Sequence, residues 1–459
     1  MAPPNSSVKV VQVCKVAPHP GSSASATPDH YSLPLSFFDI RWLRFAPVQR
    51  LYFYETLSSS STASILEKLK ASLSLTLQHF LPLAGNLTWP QHSLKPILAY
   101  AKGDAVSLTV AESDADFDCL SSNYGLLDSQ EYHPLVPQLE VSHERAAVMA
   151  FQITIFPNRG FSIGTSMHHA VFDGKTITWF PKSWAHICKH DEELGLLPDE
   201  LKPFFDRTVI DDKAGLGELF SNQYQTMDGP NNRSLMFWDL PSPPDSIRGT
   251  FELSGSLIQT LGERVRTTVK TGSYDTIPPH LSTFSLACAY AWVCLVKAQE
   301  TKAEETQLVF AVDGRSRLVP PVPATYFGNC CVGCSAVAET KALLGKDGLV
   351  VAISAIDEAI KRVDADGVLN GAENWVSTLC TVLRDRVISI AGSCGFGVYE
   401  TDFGWGKPKK VDLVSIDGVG SISLSDTKND DGGFEVGLVL GKHCMETFSS
   451  LFAKGLENL

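Results

Sequence analysis

The stretch Ser166-Met167-His168-His169-Ala170-Val171-Phe172-Asp173-Gly174 constrains this chain more than any other. Before it, residues 161–166 alternate apolar and small side chains, the period of a half-buried strand. After it, Ile177, Phe180, Trp184, Ile187 and Cys188 recur at helical spacing across residues 175–189. The pattern predicts a strand, a tight turn and a helix, with His169 held on rigid backbone at the strand end. Asp173 follows only four positions later, so the turn itself fixes the relative direction of the two side chains. Gly174 is expected to let the chain bend, and Pro181 to kink the helix.

A chain of 459 residues is longer than one core needs, which predicts two domains. Between residues 196 and 233 the periodicity fades among Pro198, Pro203, Gly215, Gly217 and Gly229-Pro230. The expected division is therefore residues 1–195, a surface crossover at 196–233, and residues 234–459. A formal charge of −13 argues against nucleic acid and anionic membranes as partners and asks for a local basic patch if a polyanion binds. Residues 1–15 lack an apolar signal core, and no run reaches the ~18 apolar residues of a membrane span, so a cytoplasmic protein is expected. The 11 cysteines are then reduced thiols, and the Asn-x-Ser/Thr triplets at Asn5, Asn86 and Asn232 are chance. Cys330-Cys331-x-x-Cys334 is a tight cluster, but a zinc site would need His443 or Cys444 from far along the chain, so no metal is expected.

Strands are expected at residues 9–16, 146–156, 308–312, 411–416, 422–425 and 434–440. Helices are expected at 64–80, 256–269, 283–298, 349–363, 374–387 and 445–456. Residues 21–29 read as a serine-rich loop, 157–160 as a hairpin turn into the strand that carries His169, and 313–317 as a polar strand exit. The class is mixed α/β.

His169 suits a general base, because imidazole titrates near working pH and can take a proton from an attacking hydroxyl. A satisfied core histidine has the same spacing, and a His-x-x-x-Asp match arises by chance about once in a chain like this. A metal on His168, His169 and Asp173 is opposed by geometry, since successive strand residues face opposite ways. Asp173 has two possible jobs, orienting the imidazole or pairing with a cation to lock the turn; the short spacing favours the lock.

His169-Ala170-Val171-Phe172-Asp173-Gly174 together with Asp402-Phe403-Gly404-Trp405-Gly406 resembles the paired signature of the BAHD acyltransferases, which move acyl groups from coenzyme A thioesters to alcohols or amines. Leu81-Pro82-Leu83-Ala84-Gly85, Phe205-Asp206-Arg207-Thr208, Val312-Asp313-Gly314-Arg315-Ser316-Arg317 and Glu435-Val436-Gly437-Leu438 extend the resemblance over the whole chain. Tyr326-Phe327-Gly328-Asn329-Cys330 is similar to a motif of the branch that acylates anthocyanin and other flavonoid glycosides.

The resemblance implies an α/β fold of two similar-sized domains, each a mixed sheet flanked by helices, related to chloramphenicol acetyltransferase, with the active-site channel at the domain interface. It implies a monomer with acyl-CoA as co-substrate, malonyl-CoA favoured over hydroxycinnamoyl-CoA, no resident cofactor, and a phenolic glycoside as acceptor. His169 would deprotonate a sugar hydroxyl for direct attack, without an acyl-enzyme. Asp173 would pair with Arg315, or with Arg317 as second choice. Phe38, Asp39 and Tyr326 would lie on the substrate side, and Arg159, Arg315 or Arg317 would meet a malonyl carboxylate. Asp402, Gly404 and Gly174 would be structural. Trp405 would be a core aromatic, or would support the oxyanion or line the tunnel. Gly406, Lys407, Arg264 and Arg266, with Lys409 and Lys410, would face the CoA phosphates. Two departures are Gly262, where members often carry lysine, and Cys394, where proline is usual. The competing expectations are a peptide condensation domain, which shares His-His-x-x-x-Asp-Gly, and a non-catalytic binder of phenolics.

Overall fold

Alternating apolar and small residues from Met149 to Met167 fold into two antiparallel strands, Met149–Phe156 and Gly160–Met167, buried along their whole length. In this computed structural model, which describes residues 8–20, 28–55, 61–123, 125–190, 195–240, 242–271 and 281–457, they form the centre of a six-stranded sheet. Its spatial order is Val8–Val16, Val106–Ser113, Met149–Phe156, Gly160–Met167, Val48–Glu55, Lys410–Leu413. Only the pair Val106–Ser113 and Met149–Phe156 is parallel.

A second, seven-stranded mixed sheet runs Cys331–Glu339, Glu305–Asp313, Ile388–Gly392, Ile422–Asp426, Phe434–Gly441, Ser246–Leu253, Leu126–Asp128. A small sheet, His30–Pro34, Ile97–Ala101, Asn86–Thr88 and Arg145–Ala147, caps the first half. Helices flank both large sheets, so the architecture is two mixed-sheet domains, as the resemblance implied. The two halves exchange strands. Lys410–Leu413 edges the first sheet, and Leu126–Asp128 edges the second.

The helix Thr283–Ala298 buries 13 of its 16 residues against the second sheet, which is why its sequence is apolar all round. No described helix is long and apolar enough to cross a membrane. Two local expectations change. Residues 146–156 are two strands, because the chain leaves the small sheet after Ala147 and enters the large one at Met149. Inside the stretch read as a bare crossover lies the helix Leu216–Thr226, whose Leu216, Phe220 and Tyr224 are buried at four-residue spacing. The serine-rich loop falls largely on 21–27, outside the described residues, as does Asn5.

Glu435, on Phe434–Gly441, is buried at the seam of the halves and accepts from the Tyr399 hydroxyl at 2.9 Å and from Asn123 Nδ2 at 2.7 Å. Burial pushes its carboxyl up to about 7 despite these bonds. A raised carboxyl contributes stability that is complete below the ordinary glutamate range and declines as pH rises toward 7. Glu435→Gln, which cannot ionise, is expected to flatten the fall in stability between pH 5 and 8 by about 1–3 kcal/mol, read from urea midpoints of variant and parent at each pH.

Candidate active site

The strand Gly160–Met167 is hydrogen-bonded on both sides, so its end is fixed. The chain then turns at once: Val171 N–H donates to the His168 carbonyl at 2.9 Å, and Ile177 N–H donates to the Asp173 carbonyl at 2.9 Å. Asp173 caps the helix Thr176–His190, its Oδ1 accepting from the Thr176 N–H and hydroxyl, both at 3.0 Å.

His168 and His169 point apart. His168 is buried against Phe237, with Nδ1 accepting the Ala170 N–H at 3.2 Å. The half-buried His169 ring stacks on Trp42, with centres 4.0 Å apart, and meets the edge of Phe45 at 5.1 Å. Its Nδ1 is buried without a partner from another residue, and among the described residues none bonds Nε2. Removal from water pulls the imidazole down to about 4; the nearby Arg41 adds to this, while the residue's own carbonyl and Asp173 oppose it. At neutral pH the ring is therefore uncharged and able to accept a proton.

Neither oxygen of Asp173 bonds that ring. Oδ2 pairs with Arg315 Nη2 at 2.8 Å and accepts the Cys330 N–H at 3.2 Å. Burial opposes its ionisation, yet Arg315 and the Thr176 N–H outweigh burial and hold the carboxyl below the usual range. Arg315 also donates to the Gly328 carbonyl at 2.9 Å and pairs with Asp313 at 3.0 Å.

A second buried carboxylate, Asp39, accepts from the Ser36 hydroxyl at 2.8 Å, Arg207 Nε at 3.1 Å, and the Asn329 N–H and Nδ2 at 2.9 and 3.1 Å. Asn329 Nδ2 also donates to the His169 carbonyl at 2.9 Å. Residues 326–330 thus tie both ion pairs to the histidine turn. Gly328 is needed there, since a Cβ would stand 2.5 Å from Arg207 Nη2.

Several expected site residues lie elsewhere. Arg159, in the hairpin turn at the far end of the strand, pairs with Asp118 and is separated from His169 by the whole eight-residue strand, roughly 25–30 Å of extended chain. Arg315 is spent on Asp173 and Asp313, and Arg317 is held by Asp364 at 2.9 Å, so none of the three is free for a substrate carboxylate. Phe38 and Asp39 are fully buried, Phe38 against Trp375 at 5.5 Å, and Tyr326 is buried beneath the guanidinium groups of Arg207 and Arg315. Gly174 is not in the left-handed region; a Cβ there would lie 3.0 Å from the Phe396 ring, so close packing explains it.

The segment 402–406 is a folded clasp. Asp402 accepts the N–H groups of Gly404 and Gly406 at 2.8 and 2.9 Å and pairs with Lys189 at 2.6 Å; both glycines have positive φ. Phe403 packs edge-on to Trp184, and Trp405 edge-on to Phe161, near the start of the strand that leads to His169. Trp405 is accordingly remote from the histidine and gives no support to an oxyanion there. Lys409 is paired with Glu55 and Asp118, and Lys410 is buried on the Ser122 carbonyl and Asp412, so neither offers a free cation. Lys407 is exposed in this clasp, whereas Arg264 and Arg266 are exposed on a different element, the helix Gly255–Thr271.

Arg41, Trp42, Phe45 and the specific role of Asn329 were not singled out from sequence. The available signal was two arginines, Arg41 and Arg44, inside the otherwise apolar run 40–45. Among the described residues no group of His, Cys, Asp and Glu could hold a metal ion. A cavity of about 460 Å³, lined by Lys15, Asp104, Glu140 and Arg145 among others, does not include His169.

The Transferase family model matches residues 22–454. Phenolic glucoside malonyltransferase 1 of Arabidopsis thaliana is 40% identical, over 99% of this chain and 98% of that protein. Agmatine coumaroyltransferase of Arabidopsis thaliana is 37% identical, over 98% of this chain and 100% of that protein. The crystal structure of vinorine synthase superposes with a TM-score of 0.69 at 20% identity, covering 97% of this chain and 98% of that one, which shows the shared fold.

Proposed function

This chain belongs to the Transferase family, the BAHD acyltransferases, and on that premise we propose that it moves a malonyl group from malonyl-CoA to a sugar hydroxyl of a phenolic glucoside. The observation that carries the reading is the uncharged His169, fixed by its backbone on Asn329 and by the Asp173–Arg315 pair, with no described residue bonded to Nε2. In the proposed mechanism the acceptor hydroxyl gives its proton to Nε2 as its oxygen attacks the thioester carbon. A tetrahedral oxyanion forms, the carbon–sulfur bond breaks, and the proton passes from His169 to the departing CoA thiolate. No nucleophilic side chain, metal or resident cofactor takes part.

Asp173, Arg315, Asp39 and Asn329 act as positioning residues, drawn from both halves of the chain, which supports a site at the interface of domains 1–195 and 234–459. Lys407 and Arg266 are the exposed cations at which we place contacts to the CoA phosphates. We further read the protein as a cytoplasmic monomer. The test is an assay of purified protein with malonyl-, acetyl- and coumaroyl-CoA against phenolic and flavonoid glucosides, read by product mass. Gain of one malonyl unit is expected. Gain of a coumaroyl unit would refute the donor while keeping the mechanism, and no product from folded protein would favour a binding role.

A further inference from the structure

The segment that supplies Trp42 to His169 also carries a cation with no counter-ion. Arg41 is only 7% exposed, and among the described residues no carboxylate pairs with it. Its Nη1 makes one long bond, 3.4 Å, to the Cys331 carbonyl, and its Nε is buried with no partner. What surrounds it is aromatic: the guanidinium carbon is 4.6 Å from the Trp42 ring centre and 4.9 Å from that of Trp375. The Tyr224 hydroxyl holds its backbone carbonyl at 2.7 Å, so the residue is fixed in place. Of the other buried cations nearby, Arg207 is matched with Asp39 and Arg315 with Asp173, and Arg50, which also has no carboxylate among the described residues, donates to the Thr178 hydroxyl at 2.8 Å.

A guanidinium withdrawn from water with most of its five N–H donors unused is costly unless an anion arrives, and its planar fork suits a carboxylate. Cation–π contacts offset part of that cost without filling the donors. Trp42 and His169 both keep part of their surface exposed, so the stack beside Arg41 is not sealed from solvent. Burial even draws Arg41 down to about 10, still charged at neutral pH.

We propose that Arg41 receives a carboxylate borne by a substrate and holds it beside His169. The proposal rests on the acyltransferase reading above. Two sources carry that chemistry, the free carboxylate of a malonyl donor and an acidic group on the acceptor.

The experiment compares the full-length parent with Arg41→Gln and Arg41→Lys. Each is assayed with malonyl-CoA or acetyl-CoA on a neutral phenolic glucoside and on one bearing a carboxylate, with a melting curve for every preparation. Arg41→Gln is expected to lose roughly 10–100-fold in kcat/KM, mainly through KM, wherever the contacted carboxylate is present, and under about threefold where it is absent. Arg41→Lys should lose less, with the same selectivity, and decides the matter if the glutamine variant does not fold. Selective loss with malonyl-CoA identifies the donor carboxylate; selective loss with the acidic glucoside identifies the acceptor. Equal loss on all four pairs, or no loss, overturns the proposal. A parent that uses only acetyl-CoA refutes the malonyl reading by itself, and the acceptor arm then decides Arg41.

Discussion

His169→Ala is expected to leave a folded protein whose kcat is lower by roughly 10²–10⁴-fold, the usual worth of a positioned general base. The fold should survive because the ring makes only packing contacts, with Trp42 and Phe45, whereas the hydrogen bond from Asn329 goes to the backbone carbonyl, which alanine keeps. Losing one stacked pair costs about 0.5–1.5 kcal/mol. The pH profile gives a second readout. Burial draws His169 down to about 4, so the base remains unprotonated until pH falls well below the ordinary imidazole range, and the acid limb of kcat/KM should lie near pH 4–5. The sign for stability follows: the unfolded imidazole binds a proton more readily than the folded one, so stability falls as pH drops from the ordinary range toward 4. Steady-state rates and melting curves on one preparation, from pH 4 to 8, measure both. Retention of full activity in the alanine variant would sink the base assignment.

How far these features were legible in sequence depended on the range of the interaction. The strand, turn and helix around His169 could be read because each rests on local periodicity, and Gly160–Met167 and Thr176–His190 fall within a residue or two of their expected limits. The exchange of Lys410–Leu413 into the first sheet was not legible, since pairing with Val48–Glu55 is decided by backbone bonds more than 350 residues apart in sequence. The same limit governed the arginines. Residues 313–317 look uniformly polar, yet Arg315 is buried on Asp173 while Arg317 lies out on Asp364. Nothing in composition tells an arginine already paired from one awaiting a ligand. Arg159, Arg315 and Arg317 each had a carboxylate waiting in the fold, and Arg41, which has none among the described residues, was passed over.

Breaking the Asp173–Arg315 pair should show a large stability effect, since both side chains are buried. Asp173→Ala removes the acceptor for Thr176 and Cys330 and strips a buried guanidinium of its closest carboxylate, a loss expected at about 3–5 kcal/mol. Arg315→Gln leaves the carboxylate its backbone donors, so it should cost less at neutral pH. It should also raise the folded Asp173 carboxyl, now held low by Arg315, so that stability lost as pH falls is lost at higher pH than in the parent. The double variant, with neither charge left unpaired, should be destabilised by less than the sum, with a coupling of about 1–3 kcal/mol from urea unfolding. Catalysis then separates the two jobs open to Asp173. If the pair only locks the turn, Asp173→Asn and Arg315→Gln should depress kcat alike, and the double variant should be no worse than either. If the carboxylate orients the imidazole, Asp173→Asn alone should carry the large loss. Both oxygens are engaged by Thr176, Cys330 and Arg315 and neither by His169, so the first pattern is the one expected.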